Sequence, residues 1–264
     1  LRYNALLGDW LVVAAHRGNR TFYPPKELCP LCPTAPDATN MLTEIPEPDY
    51  EVAVFDNRFP SLTRPTQDFS LPSPLGVEDI HVESAGKCEV VCFSSEHSAY
   101  FYQLPAQQAR VVLEAWIDRT QAMKELPYIQ HVCPFENRGV EVGVTLPHPH
   151  GQIYGYSYLP IVVRQMQKAA NDYFEKTGNV LFEDVVAREL RDEVRVIGRN
   201  EHWISYVPYA ARYPFEIHVA PLKAVRTLPE LDGEQRDAFA EIYQDALRRL
   251  DGVYGQPMPY MASW

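Results

Sequence analysis

The sequence predicts an α+β protein built from a duplicated unit, with the second copy incomplete at the C-terminal end. Three observations carry that expectation. The chain has 264 residues, 46% of them hydrophobic and 22% charged, the balance of an ordinary globular protein. Strand-like and helical runs are interspersed rather than segregated into an all-α or all-β chain. The order strand, strand, helix occurs twice, and the chain stops at Trp264 where the second copy's next strand is expected to begin.

The first copy opens on a strand-like stretch at 11–15. The 23 prolines cluster in 21–48 and 59–74, which read as irregular loops. Runs of β-branched and aromatic residues place strands at 51–55, 88–93, 140–145 and 152–156. Between the second and third, Leu113, Trp116, Ile117, Thr120 and Met123 share one face of a helix, with Pro105 near its start. After Pro160 a second helix carries Val162, Met166, Ala169, Ala170 and Tyr173 on one side, and a third holds Phe182, Val185, Val186 and Leu190. The second copy has strands at 202–207 and 215–220, then a helix faced by Phe239, Ile242, Tyr243, Ala246 and Leu250.

Charge narrows the function. Lys and Arg number 24 against 35 Asp and Glu, a net −11. With no basic run to offset it, this argues against binding the phosphate backbone of nucleic acid, although two or three local arginines suffice for a small anion. No apolar run reaches the roughly 20 residues of a membrane span, and Leu1-Arg2-Tyr3 opens no signal peptide. Five cysteines, an odd count, fit a reducing cytoplasm and metal ligation better than a disulfide scaffold.

The densest chemical cluster is Pro147-His148-Pro149-His150-Gly151-Gln152. In extended backbone His148, His150 and Gln152 point the same way. Pro149 requires a strand end, edge or bulge there, and Gly151 allows close approach of a ligand or another backbone. A plain surface His-Pro-His turn is the competing reading. His16, His81, His131, His202 and His218 stand alone and read as structural or solvated.

Cys29-Pro30-Leu31-Cys32 lies in a proline-rich loop and suits zinc, since two thiolates can share a tetrahedral centre. No second such pair exists, so His97 and His148 are the candidates to complete it. A redox pair is the alternative, without the strand-to-helix setting such motifs use. Cys88, Cys92 and Cys133 read as inert core residues. Arg17, Arg20, Asn57 with Arg58, and Asn137 are candidate phosphate handles. No Walker loop or dinucleotide glycine fingerprint is present, so phosphates must be held by side chains.

Phe135-Glu136-Asn137-Arg138-Gly139 followed by His148-Pro149-His150-Gly151-Gln152-Ile153 resembles the galactose-1-phosphate uridylyltransferase family, a branch of the histidine triad superfamily. The likeness runs through Arg17, Arg20, Cys29, Cys32, Asn57, Cys92-Phe93-Ser94, His97, Glu201-His202-Trp203 and Tyr213-Pro214-Phe215-Glu216, nearly the whole chain. It implies two histidine-triad-like units, 1–160 and 161–264, of mostly antiparallel sheet with flanking helices. It implies ping-pong transfer of UMP between UDP-glucose and galactose 1-phosphate by a cytoplasmic homodimer.

By the same resemblance His150 is the nucleophile and Gln152 holds the transferred phosphoryl group. Cys29, Cys32, His97 and His148 are ligands of a structural zinc, and Arg17, Arg20, Asn57, Asn137 and Thr145 contact the nucleotide. The residue types suit that chemistry. A neutral imidazole is nucleophilic near pH 7, and an amide can hold phosphoryl oxygens without acting as an acid. That suffices for a leaving group that is already a stable anion. Thr145 stands where many relatives have Ser, and Arg58 where they usually have Asp. Met166 falls where relatives with a second metal site carry an acidic residue, so no iron is expected. Two other readings are a nucleotide phosphorylase or adenylyl-sugar transferase of the same branch, and a non-catalytic, zinc-stapled binding module.

Overall fold

A computed structural model describes residues 1–14, 24–34, 43–74 and 80–264. The chain divides into two compact units. The first comprises residues 1–99, 114–164 and 259–264, and the second residues 100–113 and 165–258.

The first unit is organised by a five-stranded antiparallel sheet. Its strands are β3 (Ala53–Asp56), β4 (Gly86–Cys92), β5 (His131–Arg138), β6 (His150–Tyr156) and β10 (Tyr260–Ser263), in the order β10-β5-β6-β4-β3. A small hairpin of β1 (Arg2–Asn4) and β2 (Asp9–Leu11) brings Trp10 onto a buried cluster with Leu62, Cys88 and Tyr158. β6 is central and alternates half-buried with buried residues, so its two faces have different surroundings. Gly151, Ile153 and Gly155 face the helix α1 (Ala106–Lys124), whose residues from 114 onward belong to this unit. A Cβ at Gly155 would lie 3.3 Å from Met123 Sδ and 2.9 Å from Ile129 Cδ1, so glycine there lets the helix side close on the sheet. Trp116 meets Phe93 edge-on at 5.8 Å. The buried Glu89 carboxylate receives Arg119 at 2.9 and 3.3 Å and Lys87 at 3.0 Å, which compensates the cost of burying that charge. His150 and Gln152 lie on the opposite face.

The second unit holds β7 (Val196–Arg199), β8 (Trp203–Tyr206) and β9 (His218–Pro221), an antiparallel sheet in the order β7-β8-β9. Here α2 (Ile161–Thr177, in this unit from 165), α3 (Leu181–Asp192) and α4 (Gly233–Tyr254) supply the helices. α4 starts at a capping box: Asp232 accepts from the Gln235 backbone N–H at 2.8 Å, and the Gln235 side chain accepts from the Asp232 N–H at 3.0 Å. Phe239, Ile242, Tyr243 and Ala246 are buried along its face, and Trp203 of β8 meets Phe239 at 5.3 Å.

All four expected helices form. The face of α1 read from spacing is buried from Leu113 to Met123, whereas Met166 of α2 is 64% exposed. The strand expected at 140–145 is instead a 3-10 turn, Val140–Val142, between Gly139 (φ 104) and Gly143 (φ 82). Valines at alternate positions imitate a strand, but the two positive-φ glycines turn the chain. The strand of that region lies earlier, at His131–Arg138. The strand expected at 215–220 begins only at His218, after Phe215 adopts φ 60. β10 was not expected, and it pairs with β5 in the first unit's sheet, Tyr260 opposite Arg138 and Ser263 opposite Phe135. No helix among the described residues is long and apolar enough to cross a membrane.

Candidate active site and metal centre

Both clusters singled out in the sequence lie in the first unit, where the His-Pro-His segment enters β6. Pro149 precedes the first residue of this interior strand, so it takes no donor from the ladder. Its carbonyl accepts from the Phe93 N–H at 3.0 Å, fixing the segment beside the end of β4.

His148 is buried and turns toward the cysteine loop. Its Nδ1 lies 3.5 Å from Cys32 Sγ, and His97 Nδ1 lies 3.3 Å from the same sulfur. The ligand atoms of Cys29, Cys32, His97 and His148 all lie within 4.8 Å of one another. A tetrahedral ion with metal–sulfur and metal–nitrogen bonds of about 2.3 and 2.0 Å has ligand–ligand edges of about 3.3–3.8 Å. The donor set suits such an ion, and the 3.3 and 3.5 Å sulfur–nitrogen separations match its edges, so these four residues could hold one. The tautomer fits too. His148 Nε2 lies 2.8 Å from the Ser94 carbonyl, which can only accept, so Nε2 carries the proton and Nδ1 offers its lone pair. The Tyr50 hydroxyl lies 2.7 Å from the same Nε2 and donates to the Leu31 carbonyl at 2.9 Å.

Burial sets the protonation of this cluster. It lowers His148 to about 4 and His97 below its usual value, so both rings are neutral at pH 7. Burial, reinforced by the neighbouring Cys29, pushes Cys32 up to about 12. A cation here must displace the Cys32 proton. Cys92, buried on β4 beside the Tyr50 hydroxyl, is likewise pushed up to about 12 by burial.

His150 and Gln152 occupy the face of β6 opposite α1. Across the ladders His150 pairs with Cys92, and Gln152 with Val90 and Phe135. His150 Nδ1 lies 2.7 Å from the His148 carbonyl, so Nδ1 bears the proton and Nε2 keeps an open lone pair. Desolvation lowers the His150 pKa, against the opposing pull of that hydrogen bond. The ring is a neutral imidazole with one nucleophilic nitrogen.

Asn57 follows β3. Its Oδ1 accepts from the Phe59 N–H at 2.9 Å, and its Nδ2 donates to Gln152 Oε1, also at 2.9 Å. The Gln152 NH2 is thereby left as the donor end. Asn137 on β5 shares this sheet face by alternation and stands opposite Met261. Thr145 is half-buried in the irregular stretch before His148. Arg58 turns to Glu44 at 3.2 Å. Arg17 and Arg20, with His16, lie outside the described residues. Sequence reasoning missed Tyr50 and the Ser94 carbonyl, which have no spacing signature.

Fold and site together define a mixed α/β protein whose antiparallel sheet presents a neutral imidazole and an oriented amide beside a Cys/His cluster. Family models described as galactose-1-phosphate uridyl transferase match it, the N-terminal domain over residues 1–160 and the C-terminal domain over 166–264. The galactose-1-phosphate uridylyltransferase of Streptomyces lividans is 39% identical over all of this chain and 69% of its own length. That of Thermotoga maritima is 34% identical over 99% of this chain and 78% of its own length. A solved uridylyltransferase structure aligns with TM-score 0.81 at 28% identity, covering 98% of this chain and 78% of that one. An ADP-glucose phosphorylase from Arabidopsis thaliana shares the fold at TM-score 0.69 and 22% identity, over 83% of this chain and 65% of that one. The chain belongs to the galactose-1-phosphate uridylyltransferase family, a family of transferase enzymes.

Proposed function

We propose that this enzyme moves UMP between UDP-glucose and galactose 1-phosphate through a covalent uridylyl-His150 intermediate. The observation that carries the reading is the His150 tautomer: the Nδ1 proton is committed to the His148 carbonyl at 2.7 Å, leaving Nε2 free to attack. In the first half-reaction Nε2 forms a bond to the α-phosphorus of UDP-glucose as the bond to the glucose 1-phosphate oxygen breaks. The leaving group departs as an anion and needs no proton. In the second, a phosphate oxygen of galactose 1-phosphate attacks the same phosphorus, and the phosphorus–nitrogen bond breaks to restore neutral His150. A phosphoryl transfer of this kind depends on positioning and charge stabilisation. The Gln152 NH2, aimed by Asn57, donates to the oxygens of the transferred group.

In this reading Arg17, Arg20, Asn57, Asn137 and Thr145 contact the nucleotide. Cys29, Cys32, His97 and His148 hold a zinc ion that supplies rigidity rather than a reactive water, since four protein ligands leave no open position. The zinc reading is supported by the S2N2 donor set and the outward Nε2–H of His148. Along the sequence the catalytic module runs over 1–160 and a related module over 161–264, although in the fold residues 100–113 belong to the second compact unit and 259–264 to the first.

The test is the intact mass of the protein after brief exposure to UDP-glucose. A gain of one uridylyl group, lost on adding galactose 1-phosphate and absent from His150→Ala, is expected. An unchanged mass, or labelling that survives in His150→Ala, overturns the mechanism. Labelling by ADP-glucose in preference to UDP-glucose assigns the chain to adenylyl transfer instead.

A further inference from the structure

We propose that Tyr50 is a positioning residue of the metal centre, its hydroxyl tying the middle of the Cys29–Cys32 loop to the ring of His148. The proposal rests on the reading of the Cys/His cluster as a metal site and adds a residue outside the donor set.

The hydroxyl has one proton and accepting lone pairs, and both kinds of group are engaged. The proton goes to the Leu31 carbonyl at 2.9 Å, an acceptor only. The oxygen then accepts from the Nε2–H of His148 at 2.7 Å, a proton shared with the Ser94 carbonyl at 2.8 Å. Leu31 lies between the two cysteines, whose turn is closed by Cys32 N–H to Cys29 C=O at 3.3 Å. One hydroxyl therefore connects the loop carrying two sulfur donors to a nitrogen donor 116 residues beyond Cys32.

The geometry gives the bridge a direction. Tyr50 and Ser94 both take the Nε2 edge of the His148 ring, so the Nδ1 edge is left toward Cys32. Turning the ring over forfeits both hydrogen bonds, and moving the loop forfeits the one to Leu31. A phenylalanine at position 50 fills the same space, keeps the Ser94 contact and removes the bridge, together with the hydroxyl's contact to the buried Cys92 thiol outside the donor set. Thr34, bonded through Oγ1 to the Ile45 carbonyl at 2.8 Å, braces the same loop without touching His148.

The experiment compares the unsubstituted protein with Tyr50→Phe and Thr34→Val. Each is stripped of metal, checked for fold by circular dichroism, and titrated with cobalt(II) and with zinc against a chromogenic chelator. Outer-shell partners of metal-bound histidines typically contribute about 10- to 100-fold in affinity. The expected result is at least a tenfold weaker affinity and displaced cobalt ligand-field bands in Tyr50→Phe, with neither change in Thr34→Val. Equal affinity and spectra in Tyr50→Phe overturn the proposal, as does an equal loss in Thr34→Val, which makes the effect one of loop bracing. Failure of the unsubstituted protein to bind either ion overturns the metal reading and the proposal with it. Nitrogen-15 NMR of His148 in the unsubstituted, zinc-loaded protein needs no variant: a proton on Nε2 is expected, and one on Nδ1 overturns the bridge.

Discussion

Asn57 fixes which end of the Gln152 amide is left as a donor. The Asn57 oxygen is occupied by the Phe59 N–H, so only its NH2 is available to Gln152, and it donates to Oε1 at 2.9 Å. Two amides that could each be drawn in either orientation are thus fixed by one backbone donor. Asn57→Ala removes the anchor and lets the Gln152 amide turn. Asn57→Asp is expected to be worse, since a carboxylate draws the Gln152 NH2 toward itself and leaves the oxygen facing the phosphoryl group. A hydrogen bond to a charged group contributes about 1.5–3 kcal/mol. The expected loss in kcat/KM for Asn57→Ala is therefore about 10- to 100-fold, with Asn57→Asp below it in steady-state assays.

Gln152 itself is tested by charge. Gln152→Glu keeps the length of the side chain and the Asn57 contact but sets an anion against the phosphoryl oxygens. Removal of one preorganised donor costs on the order of 100- to 1,000-fold in kcat, and a repelling charge adds to that. Single-turnover formation of the uridylyl enzyme should slow by at least that factor, more than in Gln152→Ala. A Gln152→Glu variant faster than Gln152→Ala would refute the donor role.

Much of this site is legible in the chain because several of its residues sit close together in sequence. Cys29 with Cys32, and His148 with His150 and Gln152, each have a spacing that an extended strand or a tight turn converts directly into a shared direction. Tyr50 has no such signature: its partner His148 is 98 residues away, and a lone tyrosine before a strand announces nothing. The Asn57–Gln152 bond is hidden for the same reason, spanning 95 residues. In the fold, α1 and α4 are readable because a buried face repeats every three to four residues. β5 is masked by Pro134, which argues against an interior strand. β10 is four residues long and depends on pairing with β5, so no local pattern could announce it.

Metal removal should loosen the first unit. Cys29 belongs to a buried cluster with Leu31, Ile45, Val90 and Cys92, and Cys32 packs against it, so both sulfur donors are wound into packing as well as into the site. An ion bound only by the folded state, at about 100 times its dissociation constant, stabilises that state by about 2.7 kcal/mol. Stripping the protein with a chelator should therefore lower its melting temperature, and restoring zinc should recover it. Cys32→Ser should show the lower value with or without zinc. Identical melting of the stripped and zinc-supplemented wild-type protein would argue against a structural ion.

Gly151 separates His150 from Gln152 on β6, and the sheet leaves it no room for a methyl group. A Cβ there would stand 2.7 Å from the Phe135 carbonyl oxygen and 2.8 Å from Phe93 Cζ. Neither neighbour can yield. The carbonyl belongs to β5, and Phe93 is fully buried against Trp116. Overpacking of this kind costs about 1–3 kcal/mol, so Gly151→Ala should melt several degrees lower and lose activity as His150 and Gln152 shift with the strand. Gly252 in α4 is the control, since a Cβ there meets nothing within 4 Å and alanine is the better helix former by about 1 kcal/mol. Gly252→Ala should leave activity unchanged and raise stability in urea titrations. The same substitution thus changes sign between two glycines, and a Gly151→Ala variant as stable as Gly252→Ala would mean that β6 is not packed as described.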